Sequence, residues 1–277
     1  PTSPADDRFD PEKMTAWELG AKTDWDAAGA LRLNVAGFFQ DYADKQVGTQ
    51  VLLDGFLAPR VINAASAEVW GFEFDVLWAP DAFSGLTLRA AYTYLDATYS
   101  DFEDDTTSVL RAANVGQGCN VVYKGGNGPN PDDLTDPANG NPFCRLNLSG
   151  NQLERTPENS FVAGVNITRP FLETGFDWAW DLTATWQDKR YVEADNTVYF
   201  DEYWLADTSI GLQGEKLDVL LYVDNLLDDD TIKTGGSGPD FGPQVLELGF
   251  TAGLGVTHFF GTLPPPRQFG IRANYRF

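Results

Sequence analysis

The chain is organised by period two. Phe176, Trp178, Trp180, Leu182, Ala184 and Trp186 alternate with Asp177, Ala179, Asp181, Thr183, Thr185 and Gln187. The same alternation places Leu31, Leu33, Val35, Gly37 and Phe39 on one face, and likewise Phe72, Phe74, Val76 and Trp78. It recurs in Leu217, Val219, Leu221 and Val223, and in Phe269, Ile271, Ala273, Tyr275 and Phe277. Successive side chains of a strand point to opposite faces, so each stretch predicts a strand with an apolar and a polar side. The apolar side carries no charge in any of the five, and the other side holds charges of both signs. Extending the pattern predicts nine strands, at 15–25, 30–44, 67–79, 86–99, 159–169, 176–187, 203–213, 216–226 and 267–277. Short links at 26–29, 80–85, 170–175 and 214–215 alternate strictly with long ones at 45–66, 100–158, 188–202 and 227–266. A small extra hairpin is expected within the last long link, at 245–258.

A soluble sandwich would also alternate apolar and polar positions. Three features favour a membrane barrel. The strands run about ten residues, the length a tilted strand needs to cross a bilayer, against ~5–6 for an ordinary strand. Aromatics gather near strand ends, among them Trp17, Trp25, Trp78, Tyr94, Trp186, Trp204 and Phe277, as interfacial girdles require. Short and long links fall on opposite sides, as in outer-membrane barrels. The expected fold class is all-β, a transmembrane antiparallel β-barrel. Nine is an odd count, and an open barrel leaves unpaired strand edges in lipid, which is costly. The expectation is therefore the C-terminal part of a larger barrel, entered within an extracellular loop.

Composition changes the picture in four places. Hydrophobic residues make up 43% of 277, mean hydropathy is -0.28, and no apolar run approaches the ~18 residues of a spanning helix. That excludes a helical membrane protein and leaves a barrel open, since a barrel strand averages its two faces. The balance of 19 basic against 41 acidic residues, net -22, argues against nucleic acid as a partner. It suits solubility, divalent cations or cationic ligands. Cys119 and Cys144 bracket a segment rich in Gly, Asn, Pro and Asp; they read as a disulfide of an oxidising compartment or as two unpaired thiols. Closing that loop would stabilise by roughly 3.5 kcal/mol in the chain-entropy model. His258 is the sole histidine, so a zinc site lacks its ligands and His258 is assigned no role. There is no G-x-S-x-G, H-E-x-x-H or P-loop, so no enzyme is expected; Gly235, Gly236, Ser237 and Gly238 read as a flexible loop.

Several segments carry a resemblance to the TonB-dependent outer-membrane receptors. Pro11-Glu12 with Glu18-Leu19-Gly20-Ala21-Lys22 resembles the family's "PE…ELGAK" strand. Asn63-Ala64 and Glu68-Val69-Trp70-Gly71-Phe72-Glu73 resemble its "NA…AEVYGFE" segment, and Tyr92-Thr93-Tyr94-Leu95-Asp96-Ala97 its "YTYLDA" strand. Pro157 and Asn159 fit its strand opening. Asp224-Asn225-Leu226-Leu227-Asp228 resembles its "NLFD" motif, and Pro265-Pro266-Arg267 through Phe277 its "PPR.FG…YRF" terminus. The resemblance implies a 22-stranded barrel enclosing an N-terminal plug, with plug and TonB box outside this sequence. It implies energised uptake of scarce ligands such as ferric siderophores, haem, cobalamin or oligosaccharides, driven by TonB. The other readings are a passive porin and a soluble secreted β-sandwich that binds carbohydrate.

Tyr275 and Phe277 resemble the terminal signal read by the barrel-assembly machinery, an edge awaiting a partner strand. Asp101, Glu103, Asp104 and Asp105 offer oxygen ligands for calcium, though a solvated charge run explains them and also Asp228, Asp229 and Asp230. Trp70, Tyr123, Phe143, Phe200 and Phe241 are aromatic candidates for ligand packing, and Arg60, Lys124 and Arg145 candidates for an anionic chelate. Loop packing is the alternative for each. The expected partners are outer-membrane lipid, the plug with the remaining barrel strands, TonB and the assembly machinery.

Overall fold

A computed structural model describes residues 9–26, 28–53, 56–108, 120–125, 133, 135–239 and 257–277. In chain order its strands are β1 (Lys13–Asp26), β2 (Gly29–Leu53), β3 (Phe56–Pro80), β4 (Leu86–Ser108), β5 (Asn120–Gly125), β6 (Gly140–Asn147), β7 (Asn159–Phe171) and β8 (Phe176–Gln187). The remainder are β9 (Arg190–Tyr191), β10 (Tyr199–Phe200), β11 (Tyr203–Gly214), β12 (Leu217–Asp224), β13 (Thr234–Pro239), β14 (Thr257–Thr262) and β15 (Gln268–Tyr275). Nine of them form one wall in the order β1-β2-β3-β4-β7-β8-β11-β12-β15. These are the nine strands the alternation predicts. Every wall pairing is antiparallel.

Register makes the wall two-sided. Trp17 faces Phe39 and Phe39 faces Trp70. Tyr92 faces Phe161, Phe161 faces Trp186, and Trp186 faces Trp204. Ile210, Leu221 and Ile271 continue the line across β11, β12 and β15. A one-residue slip in any pair would send that strand's apolar set to the other side. Outside the register shifts near 42–46 and 66–67 no slip occurs, so nine apolar faces merge into one surface. It is open to its surroundings: Trp17 is 72% exposed, Leu19 84% and Phe269 82%.

The aromatic girdles are also visible in spacing. Trp17 and Trp25, Trp70 and Trp78, Trp178 and Trp186, and Phe269 and Phe277 are each eight residues apart on the apolar side. Eight residues span about 26 Å along a strand. At a tilt near 40° that is a height of about 20 Å, close to the apolar band of an outer-membrane barrel.

Two expectations about the long links need correction. Residues 45–66 are not an open loop: β2 and β3 stay paired as far as Leu53 and Phe56. Residues in the ribbon satisfy their backbone groups pairwise without needing a buried face, so period-two hydrophobicity could fade while the strands continued. The expected hairpin at 245–258 lies, except for Thr257 and His258, outside the described residues; within the same link β13 pairs with β14. The glycine-rich stretch at 235–238, read as flexible loop, is the first arm of that pair. Arg155 Nη2 donates to Gly235 O (3.1 Å) and Ser237 Oγ donates to Glu193, so tertiary contacts hold an arm whose own sequence signals only a turn.

The compact core sits above the wall, not within it. Ala65, Ala67, Tyr99, Phe102, Cys144, Leu146 and Leu148 are buried together, with Tyr42, Val47, Leu153 and Ala194 packed against them. The extended ends of β2, β3 and β4 supply one side; β6, which pairs with β4 and β5, supplies the other. Tyr99 Oη donates to Glu154 Oε2 (2.6 Å). Burial, then that hydrogen bond and charge, push its phenol above the ordinary value. Tyr99 therefore stays neutral and acts as a fixed donor.

Candidate functional site: the polar face and its loop rim

The wall's second side is a field of charges. Asp24 and Arg32 are cross-strand neighbours bridged at 2.8 Å, and Asn34 Nδ2 donates to both Asp75 oxygens (2.9 and 3.1 Å). Arg276 pairs with Asp218 and donates to Gly214 O (3.0 Å), fixing the chain end to the β11–β12 turn. Arg89 spans two strand gaps. It starts on β4, passes over Gly164 of β7, and reaches Thr183 Oγ1 and Asp181 (3.6 Å) on β8. A Cβ on Gly164 would meet the guanidinium carbon at 2.8 Å, so the missing side chain is the channel for the arginine. Exposed pairs of this kind contribute little stability each. Their larger consequence is a hydrated, hydrogen-bonding surface.

The rim above this face is ordered by cations on aromatic rings. Arg190 Nη1 donates to Gln187 Oε1 (2.7 Å), and its guanidinium lies 5.3 Å from the Phe200 ring and 5.8 Å from Tyr203. It also donates to Lys233 O. Lys233 Nζ lies 4.8 Å from the same Tyr203 ring and pairs with Asp229 (2.5 Å). Each cation on a ring contributes about 1 kcal/mol or somewhat more when partly desolvated. Tyr203 also donates to Gln187 Oε1 (3.0 Å), which ties the cluster to the polar face. Phe200 was expected as a ligand aromatic; it is buried beneath Arg190 and supports this cluster. Arg190, Tyr203 and Lys233 were not anticipated. The available signal was Lys189-Arg190, the only adjacent basic pair in a chain of net -22.

Burial works to raise the Asp229 carboxyl, but hydrogen bonds from Lys233 and Thr231 outweigh it and hold it below the ordinary carboxylate value. A carboxylate depressed in the folded state stabilises above its unfolded value and loses that contribution as pH falls through its folded value. The β13–β14 hairpin should therefore loosen only as pH falls below the ordinary carboxylate range. Limited proteolysis across pH 6 to 3 reads this: cleavage within 230–262 should rise at the acid end in the native protein and be constant in Asp229→Asn.

Two sequence motifs meet at the rim. Asn225 is buried with φ 54°, and its Nδ2 donates to Asp229 O (2.9 Å) and Pro265 O (3.3 Å). Its Oδ1 accepts from the Asp229 amide (2.9 Å), and its own amide donates to Asp207 (2.8 Å). Asp228 accepts from the Arg267 amide (2.9 Å) and pairs with its guanidinium (3.2 Å). The Asn-Leu-Leu-Asp and Pro-Pro-Arg segments are thus one knot that turns the chain out of β12 and back into β15. Asp228 and Asp229 are engaged in ion pairs here, not a free charge run. Asn63 makes a second knot: Nδ2 donates to Asp10 O (2.8 Å) and Asp44 O (2.6 Å), and Oδ1 accepts from the Asp10 amide (2.7 Å). It clamps the bulge where β2 and β3 shift register between Tyr42 and Gln46.

The other expected site residues divide. Trp70 is corrected: it lies on the apolar side and donates through Nε1 to Asp96 (3.1 Å), so it is a girdle residue facing away from the polar surface. Tyr123 and Arg145 lie on opposite faces of the β5–β6 pair, where they face Pro142 and Asn120, so the structure does not bring them together; Arg145 is 3.9 Å from Glu103. Lys124 and Phe143 share that sheet and Arg60 lies in β3, but their side chains are outside the described set, as is Asp105; Phe241 and Cys119 are outside the described residues altogether. Cys144 is buried and disulfide-bonded. Glu103 and Asp104 fall on opposite faces of extended β4, and among the described residues no three metal-ligating side chains gather. Tyr275 and Phe277 stack edge to face at 5.3 Å on the apolar side.

A nine-strand antiparallel wall, apolar outside and charged inside, with a folded loop rim at one end, is a segment of an integral β-barrel. Residues 2–226 match the family model described as TonB dependent receptor-like, beta-barrel. The chain belongs to the TonB-dependent receptor family. Among solved structures it is similar to the ferric yersiniabactin uptake receptor FyuA from Yersinia pestis, at 18% identity and TM-score 0.60, covering 96% of this chain and 30% of that one. It is similar to the copper transporter OprC at 15% identity and TM-score 0.58, covering 99% and 32%. Ferric citrate transporter FecA gives 14% identity and TM-score 0.56, covering 96% and 32%. This chain spans about a third of the length of these proteins. At such identities the likeness concerns the fold. The family is one of outer-membrane transporters and receptors of Gram-negative bacteria, not of enzymes.

Proposed function

We propose that this chain is part of the barrel wall of an outer-membrane transporter that takes up a scarce ligand, a metal chelate of the ferric siderophore type, with energy from TonB. The observation that carries the reading is the continuous polar face topped by the Arg190–Phe200–Tyr203–Lys233 rim: a hydrophilic path with cationic and aromatic groups at its mouth. The uptake receptors among the similar structures support the metal chelate. In this reading β1 and β15, each with one neighbour in the wall, pair with strands outside this sequence, and a plug fills the lumen. Cys144 pairs with Cys119 across the 120–143 segment.

The test is growth under iron limitation with individual ferric chelates. Loss of the gene should abolish growth on at least one chelate, and loss of TonB should have the same effect. Uptake that persists without TonB would replace this reading by a passive porin. Growth on every chelate with the gene deleted would remove iron from the proposal.

Assembly is proposed to depend on the chain end. Arg276 anchors the last strand, while Phe277 and Tyr275 pack edge to face and stay exposed on the apolar side. Deleting Phe277 from the full-length protein should reduce its amount in the outer membrane several-fold, and an unchanged amount would refute the role.

A further inference from the structure

Three long links at the rim are fastened to one another in series. The first hangs on the upper end of β4. The Leu148 amide donates to Phe102 O (2.8 Å), the Leu153 amide to Ala97 O (2.8 Å) and the Gly150 amide to Tyr99 O (2.7 Å), while the Tyr99 amide donates to Asn151 O (2.9 Å). Thr98 and Gln152 add an antiparallel bridge. Residues 148–153 are thereby fixed to the wall.

The second link is fastened to the first. Asn196 Oδ1 accepts from the Gln152 amide (2.7 Å), and its Nδ2 donates back to Gln152 O (2.9 Å). One side-chain amide thus does what a residue of a neighbouring strand does in a hydrogen-bonded pair, exchanging both bonds. Asn196 holds this position with φ 54°, a left-handed conformation that asparagine tolerates. Asn151 Nδ2 donates to Ala194 O (2.8 Å), and the Arg155 amide to Tyr191 O (2.8 Å). The two links also share apolar packing: Leu153 from one and Ala194 from the other lie against the same core, around Tyr99.

The third link is fastened to both. Arg155 Nη2 donates to Gly235 O (3.1 Å), Ser237 Oγ to Glu193, and Arg190 to Lys233 O. Arg155 therefore holds the second link by its main chain and the third by its guanidinium. A loop opens by itself when few bonds and little packing join it to its neighbours. These loops are joined by both, so moving the second alone breaks its ties to the first and the third.

We propose that residues 148–156, 190–198 and 233–237 form one rigid body with Asn196 as its latch, so that the mouth of the barrel is preformed and these links do not close over a ligand one by one. The consequence for uptake rests on the transporter reading above; the single body does not.

The experiment is hydrogen exchange on the full-length protein in detergent micelles, with mass spectrometry of peptides from the three segments and from β8. In Asn196→Gly, which keeps the left-handed conformation and loses both bonds to Gln152, exchange should rise about tenfold in all three segments together, the scale of two lost hydrogen bonds. Exchange in β8 should not change. Asn196→Asp keeps the acceptor and should fall between the native protein and Asn196→Gly. A rise confined to 190–198 would overturn the single body, and a rise that reached β8 would overturn its independence from the wall. A second measurement tests the preformed mouth. Glu193→Cys with Ser237→Cys, joined by a short cleavable cross-linker, should take up a ferric chelate that depends on the gene at the native rate. Loss of uptake that returns when the cross-link is cleaved would show that the links must part, and would overturn the proposal. If no chelate depended on the gene, the transporter reading would fall while the exchange result still decided the single body.

Discussion

Asn225→Ala is expected to lower stability by roughly 3–4 kcal/mol and to free the segment between β12 and β15. The change removes two donated hydrogen bonds and one accepted one, at about 1 kcal/mol each, from a buried residue. It also leaves alanine with φ near 54°, a left-handed conformation that asparagine tolerates and alanine adopts at a cost of about 1 kcal/mol. Asn225→Gly separates these contributions, since it keeps the conformation and loses only the side-chain bonds. The order expected in urea unfolding and in proteolysis of 227–266 is native, then Asn225→Gly, then Asn225→Ala. An Asn225→Ala protein as resistant as the native one would show that Asp228 and Arg267 hold the knot alone.

Gly71→Ala is expected to damage the wall itself. Gly71 lies on the polar side of β3 opposite Leu95 and Phe38. A Cβ there would press into the Tyr94 carbonyl oxygen and stand 3.0 Å from the Phe38 ring. The ring can turn, but the carbonyl belongs to the neighbouring strand, and moving it breaks the ladder. A cost of about 3 kcal/mol is the scale of overpacking against an unyielding neighbour. The readout is the fraction that shows heat-modifiable mobility after membrane extraction, expected to fall sharply. Gly37→Ala is the control: its Cβ would have only Gly71 O near it, at 3.9 Å. Equal damage from both would mean that glycine is needed in these strands for flexibility, not for space.

Much of the fold was legible because a barrel wall writes itself in period two. Each strand must present apolar groups to one medium and polar groups to another, so the alternation, the girdles eight residues apart and the alternating link lengths all survive in the sequence. The ribbon at 45–66 and the β13–β14 hairpin were not legible. Their backbone groups are satisfied by a partner strand, so no periodic signal is required of them. Trp70 shows the same limit. Its type suits both a ligand and a girdle; the face it shares with Phe72 and its register with Phe39 set it outward.

The sequence by itself determined the class, the count and order of wall strands, and which residues share a face, since those follow from local alternation and chain connectivity. The tertiary structure alone decided the rim. It brought Arg190 onto Phe200 and Tyr203 and joined Asn225 to Pro265. Those contacts link positions 10 to 43 residues apart through loops whose paths are set by packing. A local pattern carries no record of that packing, because its energy arises only when distant side chains meet.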